Sequence, residues 1–182
     1  MKKIVSLLMC AMMVLSLVAC GNSDDNNGGS NAGSGDTMDL KEMAVVLTEG
    51  LSEEEKSSLA EPMTLDELAD MVPLEDGETK EQIVSDLFQS RLFIPFIENA
   101  QVVVHEPGIS SIPHSAVLLR LPQGSDVEAV RSDIEANADP RRVGCVGAEK
   151  VIVSAHGNTI LLVMSDAKTA DTIAANFDGL WK

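Results

Sequence analysis

The chain has no tyrosine, one tryptophan (Trp181) and four phenylalanines. Faces that grip proteins or sugars lean on exposed aromatic side chains, so such a face has little to build with here. Positive charge is scarce too: 13 Lys and Arg stand against 29 Asp and Glu. A nucleic-acid partner demands basic surface, and this balance excludes one. The three cysteines, Cys10, Cys20 and Cys145, are too few for a disulfide framework. The familiar nucleotide and hydrolase signatures are missing: no P-loop, no G-x-G-x-x-G and no G-x-S-x-G occurs. The Asp/Asn stretch at 24–27 lacks the alternation and terminal Glu of a calcium loop.

The longest apolar run, Ile4 to Ala19, is sixteen residues. A membrane-spanning helix needs about 20. Lys2 and Lys3 precede the run and small residues end it, which are the marks of an export signal. Its end, Leu17-Val18-Ala19-Cys20, resembles the lipobox of bacterial lipoproteins. The resemblance implies cleavage before Cys20 and a lipid on its thiol; the bland alternative is an ordinary secretory signal with an incidental cysteine. One acyl chain anchors only marginally, at about 0.8 kcal/mol per buried CH₂, whereas two or three on one cysteine hold a protein at a bilayer.

Removing residues 1–19 leaves 163 residues and takes away both leader lysines, so 11 basic residues then face 29 acidic ones, a net charge of −18. Such a body does not lie flat on anionic lipid, so lipid and tether must do the holding. The tether is legible: Gly21 to Thr37 has no large apolar residue. It cannot bury surface against its chain entropy and is expected to be disordered, spanning about 20–25 Å end to end. Three segments follow: a signal peptide at 1–19, the lipidated cysteine and tether at 20–37, and one domain at 38–182.

Within that domain the first half reads as helical. Leu40, Met43, Ala44, Leu47 and Leu51 recur at helical spacing after Asp39, predicting a helix near 39–50. Glu53 to Lys56 continues in helical character. Thr64-Leu65-Asp66-Glu67 is a capping box for a helix that ends before Pro73. Thr79 and Gln82 frame another at Lys80 to Leu92, stopped by Pro95.

The second half alternates strands and helices. Gln101–His105, Ser115–Leu121, Val143–Ser154 and Thr159–Ser165 are rich in branched apolar residues and read as strands. Gly157-Asn158 is a two-residue hairpin turn. A capping box at Ser125-Asp126-Val127-Glu128 opens a helix to about Asn137, and a last helix follows Ser165-Asp166. The result is strand–strand–helix twice, with a faint echo between "VLLRL" before Ser125 and "ILLVM" before Ser165. Duplication would explain it, and so would chance. The economical arrangement is an α+β two-layer sandwich: four antiparallel strands, helices on one face, and N-terminal helices in front. The order ββαββα is that of a circularly permuted ferredoxin-like fold.

The lipobox, the helix "DLKEMA", the stretch "SAVLLRLPQGSDVEAVRSDIEAN" and the ending "GNTILLVMSDAKTADTIAANF" resemble a family of bacterial cell-surface lipoproteins. That family is defined as a domain of unknown function. The resemblance covers roughly residues 38–180. It implies location at the cell membrane on its extracytoplasmic side, and it carries over no catalytic positions.

Few residues suggest chemistry. His105, His114 and His156 are the only histidines. His105-Glu106 flanks the loop that holds His114, so two imidazoles and a carboxylate could meet there. A metal site needs three or four converging ligands, and this spacing matches no compact zinc motif, so no metal or cofactor is expected. Cys145 in "VGCVG" falls within the strand predicted at 143–154 and reads as a small buried apolar residue. Arg141-Arg142 reads as a solvated pair, or as a contact for an anionic partner. The first functional reading is a lipid-anchored binding or structural module with no nameable site. The second is a metal-assisted hydrolase using His105, Glu106 and His114. A two-lobed solute receptor needs considerably more chain.

Overall fold

Side-chain caps set where the helices begin. The computed structural model describes residues 34–109 and 111–182, which belong to one compact unit. The leader, Cys20 and the tether up to residue 33 lie outside the described residues. Asp39 accepts from the Lys41 and Glu42 amides and opens α1 (Leu40–Val46). Ser52 with Glu55, Thr64 with Glu67 and Thr79 with Gln82 close reciprocal capping boxes. They open α2 (Glu53–Ser58), α3 (Leu65–Asp70) and α4 (Lys80–Leu92). For α5 (Val127–Asn137) and α6 (Ala167–Gly179) the cap is the aspartate, Asp126 or Asp166, and not the serine before it.

The sheet is antiparallel throughout and has five strands, in the spatial order β1-β2-β3-β5-β4. They are β1 (Met63–Thr64), β2 (Gln101–His105), β3 (Ser115–Arg120), β4 (Lys150–His156) and β5 (Thr159–Ser165). Register follows from the apolar residues: Val103 lies opposite Leu118, and Leu118 opposite Leu161. Gly157, at φ 55°, makes the two-residue turn between β4 and β5. Asn158 fastens that turn to β3, donating from Nδ2 to the Leu121 carbonyl at 2.7 Å.

Alternate residues of β2, β3, β4 and β5 feed two separate cores. Val102, Val104, Val117, Leu119, Ile160 and Leu162 pack with Phe88 and Leu92 of α4 and Ile134 of α5. Val103, Ala116, Leu118, Leu161 and Val163 pack with Met43 and Leu47 of α1 and Ile173 and Phe177 of α6. Helices therefore cover both faces of the sheet. The α+β class holds; the two-layer arrangement with four strands and helices on one face does not. A ferredoxin-like sheet carries its helices on one face, and here α5 and α6 lie on opposite faces, so that expectation fails as well. The echoed sequences are likewise followed by helices that pack on opposite faces. Strands buried on both sides explain the arrangement: every residue of β5 is buried, which a single covering layer cannot achieve.

Two further boundaries move. β4 begins at Lys150 and not at 143, because Gly144 and Gly147 adopt φ 60° and 75°, left-handed values outside any strand. Residues 140–142 form a 3-10 turn, and Cys145 is exposed in the loop that follows, not buried. At the N-terminal side the end of the expected tether is docked. Residues 34–36 form a 3-10 turn, and the Gly35 amide donates to the Leu180 carbonyl at 3.2 Å. Arg120 donates to the carbonyls of Met38 and Gly35 at 3.0 and 3.1 Å, and Trp181 Nε1 to Asp36 Oδ1 at 3.0 Å. Among the described residues no helix is long and apolar enough to cross a membrane.

Candidate functional site

The candidate site lies where β2 ends, β3 begins and β5 ends. A cleft of about 460 Å³ opens there, between the last turn of α4, the loop after β2 and the turn around Arg142. Strand alternation decides which side chains reach it. Glu106 and Ser115 fall on the α4 side of the sheet. Ser115 Oγ donates to Glu106 Oε1 at 2.9 Å, and Arg91 Nε stands 3.1 Å from the same oxygen. That Arg91 contact is ionic, since the N–H is not aligned for a hydrogen bond. Arg91, in the last turn of α4, also suits the negative end of the helix.

His105 and His114 do not join Glu106. His105 follows Val103 and points to the α1 side, so the sheet lies between its ring and the Glu106 carboxylate. Burial holds the His105 pKa below its ordinary value, opposed by backbone hydrogen bonds at Ala44 and Ala60. His114 is buried as well. Burial, and then the nearby His105, push its pKa down to about 4. Its Nδ1 lies 3.1 Å from Ser165 Oγ, which donates in turn to Asp166 Oδ2 at 3.3 Å. A bare Asp166 carboxylate accepts from Ser165, so Nδ1 carries the proton and donates to the hydroxyl. Burial raises the Asp166 pKa, but hydrogen bonds from Thr169 and Ser165 outweigh it and keep the group ionised. His114 Nε2 is buried and has no protein partner, and His114 also lines a small pocket of about 40 Å³.

This Ser165, His114 and Asp166 set is not a nucleophile triad. The serine stands between base and acid, and it is almost fully buried. Among the described residues no three His, Cys, Asp or Glu side chains converge to hold a metal ion. The hydrolase geometry of His105, Glu106 and His114 is therefore absent. His156 sits at the other end of the sheet. Its Nε2 is 2.9 Å from Asp178 Oδ1, and its ring stacks on Trp181 with centroids 5.1 Å apart.

The arginine pair splits. Arg141 folds back on Asp139, with Nη2 to Oδ2 at 2.9 Å, and is solvated. Arg142 lines the cleft, its guanidinium 5.7 Å from the ring centroid of Phe93. Phe93 ends α4 in the left-handed region, at φ 60°. Such a conformation costs a non-glycine residue on the order of 1–3 kcal/mol and collects at ligand clamps. Sequence reasoning overlooked Arg91 and Ser115, which carried no local signal, because only strand register and helix packing bring them to Glu106.

No protein-family model, curated protein or solved structure matches this chain.

Proposed function

We propose that this protein is a lipid-anchored binding module at the extracytoplasmic face of the cell membrane, held through Cys20. Its domain, beginning near residue 34, presents the cleft at the sheet end as the seat for a ligand. The leader, the lipobox residues and the tether support the anchor. The carrying observation for binding is the cleft itself. Its volume of about 460 Å³ falls in the range of small-molecule sites, and its lining is mainly polar and charged with some apolar surface. It offers donors and charge through Arg142, Arg91 and Glu106.

The anchor is tested by fractionating cells that produce the full chain or Cys20→Ser. The wild type is expected in the membrane fraction and the variant among the soluble exported proteins. Equal partitioning of the two would contradict the anchor. The seat is tested on separate grounds, by ligand titration.

A further inference from the structure

We infer that the cleft binds a small carboxylate with a branched apolar body, and that Arg142 is the residue that holds the carboxylate. This rests on the reading of the cleft as the ligand seat. The first ground is electrostatic. The described residues contain eleven Lys and Arg. Eight of them have a carboxylate within 4.0 Å, namely Lys41, Lys56, Lys80, Arg91, Arg131, Arg141, Lys150 and Lys168. Arg120 is consumed by carbonyls and Thr159. That leaves Arg142 and the terminal Lys182 without an anionic partner among the described residues. In a chain with more than twice as many acids as bases, an unpaired arginine in a cleft is a donor set left open.

The second ground is the balance of charge inside the cleft. Arg91 and Glu106 offset each other at 3.1 Å, and Ser115 is already donating to Glu106. His114 is neutral near pH 7. Arg142 therefore gives the cleft a net charge of one, which complements a monoanion. Asp139 does not compensate it, since that carboxylate pairs with Arg141 and feels Arg142 only at longer range.

The third ground is geometry. A guanidinium presents parallel N–H donors that match a planar carboxylate, and stacking on an aromatic ring holds its plane. Phe93 supplies that ring. The apolar surface that the cleft exposes comes from Pro107 and Ile112, which suit a small branched apolar body. A bare inorganic anion would leave Ile112 wet.

The test is an NMR titration of the full chain in detergent, with amide signals from Phe93, Gly108 and Gly144 as reporters. Three probes are used: isovalerate, isoamyl alcohol and inorganic phosphate. The expectation is saturable shifts at the reporters with isovalerate. The alcohol and phosphate should bind at least tenfold more weakly. Arg142→Gln should weaken isovalerate at least tenfold, and Arg142→Lys should restore part of the loss. Arg142 is exposed and unpaired, so both variants keep the dispersed spectrum of the fold. Equal binding of alcohol or phosphate at these reporters would overturn the carboxylate assignment and leave the cleft as a seat. Unchanged isovalerate affinity in Arg142→Gln would overturn the role of Arg142. No saturable shift with any probe would overturn both the assignment and the seat.

Discussion

A buried neutral histidine has a consequence for pH. His114 in the fold has a pKa of about 4, below its ordinary 6.5, so folding favours the neutral ring. That contribution is fully present above pH 6.5 and is lost as pH falls from 6.5 to 4. The full loss is about 3 kcal/mol, at roughly 1.4 kcal/mol per pH unit. His105, lowered by burial too, acts in the same direction. A histidine ring titration by NMR should find His114 neutral down to below pH 5, and titration near 6.5 would contradict its burial. Cys145 offers a second residue-level check. It is exposed, so a thiol reagent at mildly alkaline pH should label it fully in the native protein. Labelling only after denaturation would restore the buried position that its apolar neighbours suggested. Arg142 shows why such residues escape a sequence. It was visible only as half of an arginine pair, and the Pro140 turn, which gives Arg141 to Asp139, is what frees it.

Elements were more legible than residues. Lys80–Leu92 was readable because a capping box, a helical stripe and a proline all agree on its ends. β2 and β5 were readable as branched apolar runs with definite limits. β1 was not, because two residues after a proline carry no periodicity. The second helical layer was hidden by an economical assumption, although the signal was present. Runs such as "ILLVM" do not alternate apolar with polar, and a strand with one wet face must. Caps give the element-level prediction. Thr64 closes the capping box of α3, so Thr64→Ala should cost about 1 kcal/mol, read as a lower midpoint in urea. An unchanged midpoint would mean that α3 is held by Leu65 and Ala69 alone.

At the scale of the whole molecule, the point where tether meets domain decides how the cleft is presented. Asp36, Trp181, His156 and Phe177 make one cluster beside the β4–β5 turn. The cleft lies at the opposite end of the sheet. Gly35 and Gly157 both sit under this clamp: a Cβ on Gly35 would collide with the Trp181 indole, and one on Gly157 with the Asp36 carboxylate. Trp181→Ala removes two ring contacts and the hydrogen bond to Asp36, so limited proteolysis should cut near residues 34–38 much faster than in the wild type. Equal cutting rates would show that Arg120 and the Gly35–Leu180 backbone hydrogen bond hold the segment without the indole. Under the proposed anchoring, a chain leaving from this end would point the cleft away from the bilayer. That orientation depends on the proposed fatty attachment at residue 20. Intact-mass spectrometry of the protein extracted from membranes tests it most directly. The expected species starts at Cys20 and carries the added mass of a diacylglyceryl group. A free Cys20 thiol, or a chain still bearing residues 1–19, would contradict it.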